Sequence, residues 1–124
     1  MLNWAGIGAG ALAVAVILGA FGAHGLRSRL DAYAMDVYQR AVFYHFIHAM
    51  GLLVTPLFVR AGLLSPSAGN RIAGAFLIGI LLFSGSLYAL AISGVHVLGA
   101  VTPFGGVAFI AAWSLLAIGL FRKP

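Results

Sequence analysis

Residues 4–23 read WAGIGAGALAVAVILGAFGA, twenty positions without one charge. A helix needs about 20 mostly apolar residues to cross the hydrocarbon of a bilayer. A helix on the surface of a water-soluble domain would instead keep a polar face. This stretch therefore predicts a membrane-spanning helix, and it ends where polarity begins, at His24, Arg27, Arg29 and Asp31.

Three further segments pass the same test, at about residues 41–59, 72–93 and 104–121. The 124 residues are 63% hydrophobic and 7% charged, with a mean hydropathy of +1.10. A chain with so little polar surface cannot coat itself for water. The expected fold is all-α: a polytopic membrane protein forming a single transmembrane domain over residues 1–124, a bundle of four transmembrane helices. Met1–Leu2–Asn3 lacks the positive flank of a signal peptide, so the first segment reads as a retained helix.

Residues 28–40 differ from the spans. Leu30, Tyr33, Val37, Ala41, Tyr44 and His48 recur at spacings of three and four, which places them on one helical stripe. Arg27 with Asp31, and Asp36 with Arg40, are four apart and can pair on a helix. An amphipathic segment is therefore expected before the second span, lying in the interface or continuing the helix. Ser65–Pro66 and Thr102–Pro103 look like N-caps followed by proline at the first helical position. Pro56 falls inside the second span, where it is expected to kink the helix. Small residues stand one turn apart at Gly6 and Gly10, Ala15 and Gly19, Ala75 and Gly79, Gly85 and Ala89, and Ala108 and Ala112. They predict close helix packing within the bundle, or a face for a second copy.

The net charge of +5 comes from seven scattered basic residues. Trp4, Arg60, Arg71, Arg122 and Lys123 suit anchoring at a membrane surface. No basic cluster fits nucleic acid. The absence of cysteine excludes disulfides and thiolate chemistry. Four spans put both termini and the 60–71 connection on one side. That side holds four basic residues against three on the other, which favours cytoplasmic termini.

All four histidines and all four tyrosines fall towards the other end. His45 and His48 share a helix face and could ligate one metal, but such sites usually add a carboxylate or thiolate, and no acid lies inside a span. Bis-histidine haem needs two histidines at matching depth. His48 is about 12 Å beyond Arg40 at 1.5 Å per residue, deeper than His24 or His96. Ser84 or Ser86 with His48 could form a nucleophile and base, yet there is no G-x-S-x-G elbow and no acid at depth. No catalytic residue, metal or cofactor is therefore expected. The candidate functional residues are a polar cluster of His24, Tyr44, His48, Ser84, Ser86 and Tyr88, in which His24, His48, Ser86 and Tyr88 are expected to be connected, with His48 within one bridging water of the third span. His24, between Gly22 and Gly25, is expected at the membrane surface, outside the packed core.

GAFGAHGL (19–26), YQRAVFYHFIHAMGLL (38–53), LFSGSLYALAISG (82–94) and LGAVTPFGGVAFIAAW (98–113) resemble, in this order, the domain-of-unknown-function-423 family. These are small bacterial inner-membrane proteins related to the mitochondrial transmembrane protein 256. In that family's pattern the positions of His24, Tyr44, His48, Ser84, Gly85, Ser86, Tyr88, Pro103 and Gly105 recur. His45 departs from it, a glutamine being commoner there. The resemblance implies a multi-pass protein of the bacterial inner membrane and no settled activity.

Two functional readings follow. The first is a non-enzymatic subunit, assembly or lipid-binding module, partnered by the lipid bilayer and by a homo-oligomer or larger membrane complex. The alternative is a small transporter or channel, able to work as a dimer, with His48 as the proton-titrating group.

Overall fold

The computed structural model describes residues 2–122, so the proposed anchor Lys123 lies outside the described residues. Four helical rods run antiparallel, all long and apolar enough to cross a membrane. The first is α1 (Trp4–Phe21), capped by the Asn3 side chain accepting from Gly6 N at 3.0 Å. It runs on through one wide π turn, Gly22–Leu26.

The second rod, α2 (Ala32–Arg60), is a single helix of 29 residues, about 43 Å long at 1.5 Å per residue. That exceeds the roughly 30 Å hydrocarbon core. The amphipathic stretch is thus the first three turns of the spanning helix and not a separate interfacial element, while residues 27–30 form the turn before it. The expected Arg27–Asp31 pair gives way to capping: Asp31 accepts from Ala34 N at 2.7 Å. Arg40 and Asp36 do pair, at 2.9 Å on an exposed face. The helix runs through Pro56.

The third rod is α3 (Pro66–Gly79), a π turn at Ile80–Ser84, then α4 (Gly85–Ser93). Its start matches the expectation, with the Ser65 hydroxyl accepting from Ala68 N at 3.1 Å. The π turn carries no compositional signature. A short 3₁₀ turn, His96–Ala100, leads into α5 (Thr102–Phe121). Here the expectation fails: Thr102 is inside the helix, Val101 holds the cap position, and no side chain caps it. The Thr102 hydroxyl is engaged with Ser86 instead, at 2.6 Å.

In the bundle α2 is central. It packs on α1 along one side and on α3 and α4 along the other, and α5 closes on α3 and the second π turn. Small residues set each approach. A Cβ at Gly8 would sit 2.7 Å from the Leu53 backbone, and one at Gly105 would overlap the Phe83 backbone. Gly22 similarly faces the Tyr38 ring and Gly79 the Phe109 ring. On α1 the packing stripe is therefore Gly8, Ala15 and Gly22, seven residues apart, as in shallow antiparallel helix pairs. The expected Gly6–Gly10 pair is not at this interface: Gly10 has nothing within 4 Å of a built Cβ, and Gly6 only its own cap, Asn3. Large apolar side chains such as Ile17 on α1 and Ile110 on α5 are 63% and 69% exposed, which suits contact with lipid tails.

Candidate functional site

Apart from Thr55, which donates to the Gly51 carbonyl at 2.7 Å nearer the other end, the buried polar side chains gather in the half of the bundle containing the α1–α2 turn, and each solves the same problem. In hydrocarbon an unpaired polar group costs several kcal/mol, so it must find a partner on its own helix or the next. Tyr38 donates to the Leu18 carbonyl at 2.5 Å, fastening α2 to α1. One heptad later on α2, His45 shares a 2.9 Å hydrogen bond between Nδ1 and the Tyr88 hydroxyl, fastening α2 to α4. The Tyr38 and Tyr88 rings meet edge to face at 5.3 Å. Ser84 donates to the Ala41 carbonyl at 2.8 Å, between the second π turn and α2. Ser86 donates to the Phe83 carbonyl at 3.0 Å, which leaves Thr102 as the donor of the 2.6 Å bond between the two hydroxyls.

His48 stands apart from these links. Its Nδ1 lies 2.7 Å from the Tyr44 carbonyl, one turn back on the same helix. A carbonyl only accepts, so Nδ1 carries the proton and Nε2 presents a lone pair. The ring is stacked on Phe109 with centroids 3.4 Å apart and planes 11° from parallel. Tyr44 stacks at 5.6 Å, and Phe76 and Trp113 stand at 6.2 and 6.0 Å. Among the described residues the one hydrogen bond of the His48 ring is that of Nδ1. The residue is 5% exposed.

His24, His48, Ser86 and Tyr88 make no direct hydrogen bond to one another among the described residues. His24 is exposed in the first π turn, with no side-chain hydrogen bond recorded to it and outside the packed core. His48 is buried but satisfied by its own backbone, because its ring lies flat between aromatics and its Nδ1 faces down α2. Tyr88 takes His45 and not His48 as its partner. His45, which is not among the expected cluster residues, makes the link between α2 and α4. Its three-residue offset from His48 turns it about 60° around α2, towards α4 and the Ala11 backbone of α1. The signal that could have found it is the heptad step from Tyr38. Tyr33 and His96 are exposed beside each other, their rings 6.1 Å apart. Among the described residues no three His, Cys, Asp or Glu side chains come together in a metal-binding group.

The residues expected as anchors, Lys123 aside, sit at the opposite end. Trp4 is half buried and donates to the Asn70 side chain at 2.8 Å, so it ties α1 to α3. Arg60, Arg71 and Arg122 are exposed there. Two crevices open between them. One, of about 500 Å³, has Arg71 and Arg122 in its wall. The other, of about 440 Å³, has Arg60, Trp4 and Asn70.

Four spanning rods with internally paired polar side chains define a small multi-pass membrane protein. Residues 18–106 match the family model described as "Protein of unknown function (DUF423)", and the chain belongs to that family. It is 43% identical over 110 residues to the UPF0382 membrane protein YwdK of Bacillus subtilis, covering 88% of each chain. It is 41% identical over 112 residues to the UPF0382 membrane protein SSP2132 of Staphylococcus saprophyticus, again covering 88% of each. To the UPF0382 inner membrane protein YgdD of Escherichia coli it is 38% identical over 108 residues, 86% of this chain and 80% of that one. No solved structure matches. The chain is a multi-pass protein of the bacterial inner membrane.

Proposed function

We propose that this protein catalyses no reaction and works as a small subunit, assembly or lipid-binding module of the inner membrane, on its own or within a homo-oligomer or larger complex. One observation carries the reading: His45, Ser84, Ser86 and Tyr88 are each bonded to a partner within the bundle. Side chains engaged in this way hold helices together. A nucleophile with its base, or a ligand cage, would instead converge on one open point.

A second reading keeps one specific observation on its side. The Tyr44 carbonyl holds the His48 proton on Nδ1 at membrane depth, which leaves the Nε2 lone pair able to take up a proton, as a proton-carrying group in a small transporter or channel must. Purified protein reconstituted in liposomes with an internal pH dye separates the two. The module reading expects the decay of an imposed pH gradient to match that of protein-free vesicles, for wild type and His48→Ala alike. Flux in the wild type that vanishes in His48→Ala would replace it with the transport reading.

A further inference from the structure

We infer that the crevice between the start of α3 and the end of α5 is a site for one anionic phospholipid, with its phosphate between Arg71 and Arg122 and an acyl chain along Leu115 and Ile118. This deepens the lipid-binding part of the module reading and rests on it.

The crevice is built by the local sequence. After α2, Gly62 adopts a left-handed φ of 75°. Its N–H bonds to the Val59 carbonyl at 3.0 Å, and the Leu63 N–H to Phe58 at 2.9 Å. That is the two-bond helix stop in which glycine avoids a Cβ clash. The reversal tucks Leu64 against α5 where Gly119 has no side chain: a Cβ there would meet the Leu64 methyl. Ser65 then caps α3, and Leu64 and Ile72 form the apolar floor.

Arg71 is held at the rim. It donates from Nη2 to the Ser67 hydroxyl at 3.1 Å and from Nε to the Ser67 carbonyl at 3.4 Å. Its position is thus fixed by its own helix and not by a counter-ion. Arg122 follows the last turn of α5 on the other wall. The sequence has only two acids, Asp31 and Asp36, and both lie at the other end, on and beside the first turns of α2. Two arginines therefore line one apolar crevice with no Asp or Glu side chain beside them among the described residues. Guanidinium matches phosphate in charge and geometry, and basic pockets between membrane helices take up anionic head groups. A volume of about 500 Å³ is within the range of small-molecule sites. Among the described residues the neighbouring crevice has one cation in its wall, Arg60, against two here. A zwitterionic lipid brings its own cation and gains less.

The test is native mass spectrometry of the detergent-solubilised full chain, titrated with phosphatidylglycerol or with phosphatidylcholine of the same acyl chains. Each basic residue near an anionic head group is worth about fivefold in affinity. The expected result is one tight phosphatidylglycerol, about twenty-five-fold weaker in Arg71→Gln/Arg122→Gln and unchanged in Arg27→Gln/Arg29→Gln at the opposite end. Charge-preserving Arg71→Lys and Arg122→Lys are expected to keep most of the preference, and they test the site if the glutamine variant does not fold. Equal binding of the two lipids overturns the inference, as does equal loss in both double variants. Displacement of the lipid by millimolar inorganic phosphate overturns it too, by making this a free-phosphate site. Failure here leaves the non-catalytic reading standing, whereas proton flux through His48 would defeat that reading without altering lipid preference.

Discussion

His48 and Tyr44 lie one turn apart on α2, with the imidazole Nδ1 2.7 Å from the tyrosine's backbone carbonyl. The bond spends the buried histidine's one proton on its own helix. It also fixes the tautomer, since the acceptor has no hydrogen to give. Nitrogen-15 NMR of the protein in bilayers at neutral pH is expected to show His48 protonated on Nδ1 and bare on Nε2. A signal from the opposite tautomer would mean that the ring is turned and that Nε2 holds a partner.

The His45–Tyr88 bond joins α2 to α4 inside the membrane at 2.9 Å. Hydrogen bonds between membrane helices average about 0.6 kcal/mol and reach about 1.7. Tyr88→Phe should lower stability by about 1 kcal/mol in SDS-driven unfolding from mixed micelles. His45→Gln should cost less than His45→Ala, since the amide oxygen can still accept from the tyrosine. A double-mutant cycle of His45→Ala and Tyr88→Phe with no coupling would show that the pair is not joined.

How much of this was legible in the chain varies by residue. The spans were, because hydrophobic length alone decides them, and Ser65–Pro66 was, because capping is local. Thr102 has the same local signature as Ser65, yet its hydroxyl goes to Ser86, sixteen residues back in sequence and adjacent only after folding. Gly6–Gly10 and Gly8–Ala15–Gly22 are both regular small-residue stripes. Only the position of Leu53 and Tyr38 against α1 selects the second. The π turns at Gly22–Leu26 and Ile80–Ser84 insert one residue into a helical ladder, and composition does not mark them. Within the proposed polar cluster, the common end of the bundle was readable but the pairing was not. A ring's choice between Tyr44 and Tyr88 depends on helix rotation.

The glycine contacts make a contrast that folding assays can read. A Cβ at Gly105 overlaps the backbone of Phe83, which cannot swing aside as a side chain can, while a Cβ at Gly10 meets nothing within 4 Å. Overpacking a tight contact costs about 1–3 kcal/mol. Gly105→Ala is therefore expected to destabilise by about 2 kcal/mol, and Gly10→Ala by less than about 0.5. Equal effects would mean that α5 does not approach the second π turn this closely.

The central claim is that the buried polar side chains hold helices and carry no prosthetic group. Native mass spectrometry of wild type beside His48→Ala, both released from mild detergent, tests it most directly. The account predicts the mass of the polypeptide with phospholipid adducts alone, the same set in both proteins. A discrete non-lipid mass present in the wild type and absent from His48→Ala would contradict it and make this a ligand-binding protein.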